Sequence, residues 1–456
     1  MKPTYEQLEN RVIELESIIL KMQQTIDQLE SRLGKNSRNS SNPPSSDQKP
    51  NNPPSDDSPK QRPYHLGMKR QLLPEEMITS RETRRTEICP RCRSAMEFTG
   101  EVTSWQQVEL PSIKPLVHQI DLQTCRCPNC RLIDIPELSQ SEIFLLGPRL
   151  EGLANLLMTQ FRQGHQPVRQ FFSLLIPGLF LSQGLISKIK KRAANAFDHV
   201  NGLLREAILQ GEEPVHGDAT GWRHQGKNHH ALILRSGSLI QYSIVSHQNA
   251  TTIGQLFYSS KPIHLVCDRG LAIKKVALRA LQYCLAHLLR NLEGAAEHSS
   301  TTAEEAQLLG EVHEMLQGLF HDKHRHETGE LGRSTWLRYS YSQWQVMREI
   351  IDTLLERGSH KALRRFCKKL LRDWKHFMVY LSTGGPMTNN PAEEALRNLV
   401  IVRKLCFGSR SEYGRRWRET VQSCVETLRR QKQSVLDFLT ETIRASREGT
   451  PYPSFV

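Results

Sequence analysis

The chain has no apolar leader at its start and no run approaching the roughly 18 apolar residues of a membrane-spanning helix. That pattern excludes a helical membrane protein and sets the expectation of a soluble, cytoplasmic, nucleoid-associated protein of bacterial type. Acidic residues are the second shortage: 48 Asp and Glu against 61 Lys and Arg, a net charge of +13. The imbalance is local. Between Arg397 and Lys432, ten basic residues meet only Glu412, Glu419 and Glu426, so +7 of the surplus falls in that stretch. Such a cluster attracts phosphate, with an affinity that falls steeply as salt rises; a solvated helix face is the plainer alternative. Disulfides are not expected either. The ten cysteines include paired Cys-x-x-Cys motifs, which in a reducing compartment favour metal over cross-links. At 456 residues the chain is too long for one core, so several domains are expected.

What is present begins with a heptad. Tyr5, Val12, Ile19, Ile26 and Leu33 share one seam, and Leu8, Leu15, Met22 and Leu29 share the next. β-branched residues at a with Leu at d favour a parallel dimer, so residues 1–33 read as a coiled coil that makes a homodimer. An amphipathic helix docked on its own chain is the alternative. Residues 34–85 start as an Asn/Ser/Pro-rich stretch that cannot fund a packed core, a flexible tether. Cys89-Pro-Arg-Cys92 and Cys127-Pro-Asn-Cys130 then match a closed, four-thiolate structural zinc site within 86–135. His118 and Cys125 are nearby spares. Residues 136–208 read as helical: Leu153, Leu156, Leu157 and Phe161 form one stripe. Leu185, Ile186, Ile189, Ala193, Phe197, Val200 and Leu204 form another, N-capped by Ser182. A helix-turn-helix and ordinary helical packing both fit this stretch.

From residue 212 the period changes. Strands are expected at Val215–Asp218, His229–Leu234, Leu239–Val245 and Ile263–Cys267, followed by a helix carrying Val276, Leu278, Leu281, Leu285 and Leu288. A three-strand meander, a helix and a parallel strand fit a ribonuclease-H-like α/β layer spanning 209–290 and 381–410. Its strand ends would bring Asp218 and Asp268 together. Glu393 opens a later helix; with Asn390 as N-cap and Pro391 at N1 it would occupy N3, where Glu also caps. Glu394 is the adjacent alternative. A cap for Asp268 and a turn for Asp218 are the competing structural roles. Three carboxylates gathered from distant segments can hold two Mg²⁺ ions, which activate a water and stabilise a leaving oxygen. About 125 residues separate Asp268 from Glu393, and 291–380 reads as a helical insertion containing Trp336, Trp344, Leu354, Phe366 and Trp374. Residues 411–456 read as a basic helical tail. The fold class is thus multidomain α/β: a ribonuclease-H-like core with a helical insertion, a coiled coil and a zinc-binding module.

The zipper, the segment from Leu33 to Asp47, the double Cys-x-x-Cys, Asp218-x-Thr-Gly-Trp222, Gln282-x-Cys-x-Ala-His287 and Asn389-Asn-x-Ala-Glu393 together resemble the transposases of insertion sequence 66. The likeness runs in order along nearly the whole chain. It implies a DDE-type transposase in which Asp218, Asp268 and Glu393 are the successive catalytic acids. It also implies that His287 lies near the site, as a DNA or metal contact or as a packed helix histidine. Two positions depart from the family pattern: Ala219 where an acid is common, and Glu394 where a base is usual, unless Arg397 pairs it.

The expected function is Mg²⁺-dependent cleavage at the terminal inverted repeats of a bacterial insertion sequence, then transfer of the exposed 3′-OH to target DNA. Arg397, Arg403, Lys404, Arg410, Arg415 and Arg416 would contact double-stranded DNA, and Trp222 would stack on a base or pack in the core. Element-encoded accessory proteins are allowed as partners; a membrane is not. Two rivals are a catalytically degenerate DNA-binding protein and a stand-alone metal-dependent nuclease.

Overall fold

The computed structural model describes residues 72–454 except 112 and 140, together with Arg11, Leu15 and Met22. The coiled-coil reading of 1–33, those three positions apart, and the tether up to residue 71 lie outside the described residues. Among the described residues, 72–119 form one compact unit, and those from Ile120 onward belong to another. In the smaller unit, Leu73 and Gln106 exchange two hydrogen bonds, beside a 3₁₀ turn at Glu75–Met77. An antiparallel bridge joins Ile88 to Ala95 around the first cysteine pair.

The larger unit opens with a two-stranded ribbon, β1 (Cys125–Arg126) against β2 (Ile133–Asp134). Four helices follow: α1 (Pro148–Thr159), α2 (His165–Leu175), α3 (Gln183–Ala196) and α4 (Asp198–Gln210). Ser182 caps α3 as expected, accepting from Leu185 N at 3.1 Å. The second apolar stripe is divided, since Phe197 sits at φ −99°, ψ 7° between α3 and α4. Ile186, Ile189, Ala193, Phe197, Val200 and Leu204 still fill one core. In α1 the closest face is Gly152, Ala154, Asn155 and Met158, next to the leucine stripe rather than on it. A Cβ at Gly152 would stand 3.2 Å from Thr440 Oγ1, so small residues let a C-terminal helix cross there.

The sheet has the order β5-β4-β3-β6-β7, from β3 (Val215–His224), β4 (Lys227–Ser236), β5 (Leu239–Val245), β6 (Ile263–Cys267) and β7 (Leu278–Tyr283). β3, β4 and β5 form an antiparallel meander; a short helix, α5 (Ala250–Leu256), carries the chain to β6, which pairs parallel with β3. Both faces are covered, which explains the unbroken apolar run Ala231–Leu234 in β4. Leu232 and Leu234 meet one core, whereas Ala231 and Ile233 meet another. The helix expected over 276–288 is a strand for half its length. Leu278–Tyr283 pairs parallel with β6, and only Leu285 onward is helical. The open edge of β6 overrides a pattern that fits both periods.

The insertion is helical as read: α6 (Leu285–Ala296), α7 (Ala303–Glu327), α8 (Arg333–Arg357), α9 (Lys361–Phe377) and α10 (Val379–Thr383). It owns a separate core built on Trp336, Trp344 and Trp374, with Trp344 and Trp374 edge to face at 5.1 Å. Phe366 is only partly buried. Gln282 of β7 ties this layer to the sheet, accepting from Tyr380 N at 2.8 Å and donating to Phe377 O at 3.1 Å.

Three helices complete the chain: α11 (Asn390–Cys406), α12 (Glu412–Arg430) and α13 (Val435–Glu448). α11 lays Ala392, Ala395, Leu396, Leu399 and Val402 on the sheet face that carries Trp222, Ile233 and Tyr242. α12 is no tail. Residues 417–428 are all buried between the α3–α4 layer and β5. Its hydroxyls and carboxylate even complete the edge of β5: Thr427 Oγ1, Ser423 Oγ and Glu419 Oε1 accept from Ile240 N, Tyr242 N and Ile244 N.

Candidate active site

In the parallel ladder Gly217 pairs with Cys267. Asp218, inside β3, and Asp268, the first residue past β6, therefore each follow a member of that pair on neighbouring chain segments. Asp218 Oδ1 accepts from Ala219 N at 2.7 Å, and Asp268 Oδ1 accepts from Gly270 N at 3.0 Å. Gly217 leaves room at a tight spot: a Cβ would stand 3.1 Å from the Phe257 ring, which would have to give by a few tenths of an ångström.

Glu393 arrives on the first turn of α11, and Asn389 sets that turn in place. Its Nδ2 donates to Gly217 O at 2.9 Å, its Oδ1 meets His216 Nδ1 at 3.2 Å, and its backbone N–H points at Cys284 Sγ at 3.2 Å. Asn389, not Asn390, is the N-cap, and it makes no side-chain cap because that side chain is spent on β3. Glu393 is accordingly one position deeper than the sequence suggests and is free of any capping role. Its Oε1 lies 3.3 Å from Arg290 Nη2 and 3.5 Å from His287 Nδ1. Glu394 points elsewhere, paired with Arg235 at 2.9 Å and Arg430 at 3.1 Å rather than with Arg397.

The electrostatics are those of crowded carboxylates. Burial, then repulsion from Asp268 and from Glu393, pushes Asp218 up to about 7. Burial pulls His216 down to about 4, so it stays neutral while it holds Asn389. Burial and Arg290 also lower His287, whose Nδ1 is buried without a hydrogen-bond partner. Among the described residues, one set of three metal-type donors has its ligand atoms within 4.8 Å of one another: Cys284, His287 and Glu393. Burial raises Cys284, which favours the thiol over the softer thiolate donor. Of the three acids expected to act together, only Glu393 belongs to that set; Asp218 and Asp268 do not join it.

The other site residues named from sequence fall into distinct settings. Arg403 donates to Thr220 Oγ1 at 3.3 Å and to Gly221 O. Arg415 is enclosed by Glu412, Glu419 and Ile244 O, and Arg416 pairs with Asp198 at 3.1 Å. Arg397, Lys404 and Arg410 are exposed. Trp222 is a core residue, 2% exposed, with Nε1 donating to Ser409 Oγ at 3.1 Å. Sequence reading missed Arg290, Asn389 and a basic face on α9, where Arg365, Lys368, Lys369 and Lys375 are all exposed. The periodicity of α9, with Leu363, Cys367, Leu370 and Trp374 buried, was the signal for that face.

The two cysteine pairs share one backbone design. Cys89 N–H donates to Ser94 O and Cys127 N–H to Leu132 O, both at 2.8 Å. Arg93 N–H and Arg131 N–H return to the first cysteine's carbonyl, both at 2.9 Å. Arg93 and Arg131 adopt φ of 62° and 60°, which closes each loop. Hydrogen bonds from Ser94 draw Cys92 down to about 7, and backbone N–H groups lower Cys127. Both loops thus favour thiolate, the form that zinc requires.

A family model described as Transposase IS66 family matches residues 146–416, more than half of the chain. The chain belongs to that transposase family. The match begins at the first core helix and includes Asp218, Asp268, Glu393 and Arg290. No curated protein matches the chain. No described helix is long and apolar enough to cross a membrane.

Proposed function

We propose that this transposase is a magnesium-dependent DNA strand-transfer enzyme with a ribonuclease-H-like core, in which Asp218, Asp268 and Glu393 hold two metal ions. The observation that carries the reading is the paired register of Gly217 and Cys267. It sets Asp218, inside β3, beside Asp268, one residue past the end of β6, and Glu393 also repels Asp218. The order β5-β4-β3-β6-β7 agrees with the proposed core. When bound, magnesium supplies activation of a water and charge neutralisation at the scissile phosphodiester. The protein's own part is positioning. Asn389 fixes Glu393 against β3, and neutral His216 fixes Asn389. Arg290 balances Glu393 until a cation takes its place. No protein nucleophile is required.

Double-stranded DNA, at both element ends and target, is the proposed partner. Arg397, Lys404 and Arg410 after Glu393, with the exposed bases of α9, would meet its backbone. Arg403, Arg415 and Arg416 would contribute field more than contact, since each already serves protein acceptors. Cys89, Cys92, Cys127 and Cys130 are proposed as zinc ligands on the strength of their matched loops. Pairing through residues 1–33 would couple two protomers, and accessory element-encoded proteins remain within this reading.

The test uses purified full-length chain, Mg²⁺ and labelled duplex carrying the element's terminal repeats. Nicked and joined products are expected from wild type and none from Asp268→Asn. Binding without products, unchanged by Asp268→Asn, would identify a degenerate DNA-binding protein. Cleavage with no preference for the ends and no joining would identify a nuclease.

A further inference from the structure

The far end of α11 carries a second charged site. A cleft of about 390 Å³ opens where α2, α3 and α12 meet the loop after α11, and no carboxylate lines it. Lys190, Arg410, Arg418 and His165 all do. Arg418 is 8% exposed and forms no ion pair with a described carboxylate; its Nη1 donates to the neutral Gln422 at 2.7 Å. Lys190 Nζ and Arg418 Cζ lie 4.2 Å and 4.6 Å from the Trp417 ring. The ring eases desolvation of both cations but supplies no countercharge. Burial and then Arg418 pull Lys190 down to about 8.

The wall also contains two helix starts. α2 begins at Gly164 without a side-chain cap, whereas α12 begins at Ser411, whose Oγ already accepts from Gly414 N at 3.3 Å. N-terminal N–H groups favour anions. Gly408 shapes the loop between: at φ 109° its absent Cβ would stand 2.0 Å from Arg223 O, so the loop lies tight against β3. A buried arginine and a half-buried lysine without a carboxylate do not stabilise a fold by themselves. They fit a ligand that brings the negative charge.

We propose that this cleft binds a phosphate group of a nucleic-acid strand, at a site separate from the carboxylates. Glu393 and Cys406 stand 13 residues apart on α11, about 20 Å along its axis. One helix thus spaces a cation-holding end from an anion-holding end. The volume falls in the range of small-ligand sites, so one phosphate and part of its nucleoside fit. That the phosphate belongs to DNA rests on the function proposed above; a free nucleotide presents the same group.

The test is binding without divalent metal, so that strand cleavage does not enter. Labelled duplex DNA, adenosine monophosphate and inorganic phosphate are titrated into full-length wild type, Lys190→Gln and Arg410→Gln, each checked by thermal melting. For a DNA phosphate, each substitution weakens duplex binding about tenfold and lowers the salt slope by about one. If duplex binding is unchanged but adenosine monophosphate binds wild type and not the variants, the site stands with a free nucleotide as its source. Unchanged binding of all three probes overturns the proposal. Absence of duplex binding by wild type would defeat the DNA reading alone, leaving the nucleotide and phosphate titrations to decide the cleft. Acylation of Lys190 in wild type gives a measure that needs no variant: phosphate should slow it, and no slowing by any probe counts against the site.

Discussion

Helix α11 separates two regions that mirror each other. Near its first turn, Asp218 is repelled by Asp268 and by Glu393, and burial further disfavours its charge. Past its last turn, Lys190 and Arg418 crowd one tryptophan with no carboxylate on the cleft wall. Two polar networks elsewhere close on themselves. Glu394 meets two arginines, and Arg415 meets two glutamates. The contrast teaches that burial alone does not mark a site here. What marks it is burial of like charges that the fold leaves unbalanced.

The largest effect should come from removing one member of the acidic end. Asp268→Asn is expected to lower magnesium-dependent strand cleavage at least about a thousandfold, because several kcal/mol of charge stabilisation is lost. A variant that still cuts within tenfold of wild type would break the comparison at its first end.

Asp218→Asn should expose the strain without any metal. The folded value of about 7 lies above the ordinary 3.8, so this group's contribution to stability is complete below 3.8 and is lost as pH rises through about 7. In chelator at pH about 8 the variant should therefore be more stable than wild type, by on the order of 3 kcal/mol, with the difference vanishing near pH 4. The same variant unmasks His216, whose value is depressed from 6.5 to about 4. That contribution is complete above 6.5 and is lost on acidification, so the variant's stability should fall by up to about 1.4 kcal/mol per pH unit in that window. Chemical denaturation across pH reads both slopes, and a variant no more stable than wild type at pH 8 rules out the crowding.

Asn389→Ala comes next. Asn389 is fully buried, and its loss removes a hydrogen bond from Gly217 O and another from His216. A cost of about 2 kcal/mol is expected, together with a loss of cleavage larger than the loss of DNA binding. Equal losses would make Asn389 a packing residue only. Glu394→Gln should matter least. Its carboxylate is more than half exposed, and its two arginine pairs should contribute less than about 1 kcal/mol.

The sequence is most legible where one local rule governs. The β3–β5 meander, the Ser182 cap and the insertion all follow from period, turn chemistry or cap residues, whereas β3 runs on to His224 and leaves Asp218 inside the strand instead of at its end. It misleads where a distant neighbour decides. Leu278–Tyr283 becomes a strand because β6 has an open edge, and the helix after Ser411 enters the core because the α3–α4 layer and β5 both need cover. The N-cap shifts to Asn389 because its amide finds Gly217, 172 residues away in the chain. The Arg290–Glu393 pair is equally invisible in one dimension. Among the tryptophans, composition signals burial, while only the fold shows that Trp222 serves Ser409 rather than a base.

The placement of α12 has a consequence for damaged copies of the gene. Trp417, Val421, Cys424, Val425 and Leu428 belong to the same core as Ile186 and Ile189, laid down more than 200 residues earlier. A reading frame stopped before Glu412 would still encode all three acids, yet its product would expose an open apolar layer and lack the side chains that finish β5. Such a fragment is expected to be cleared or to aggregate rather than to bind DNA in competition with the intact protein.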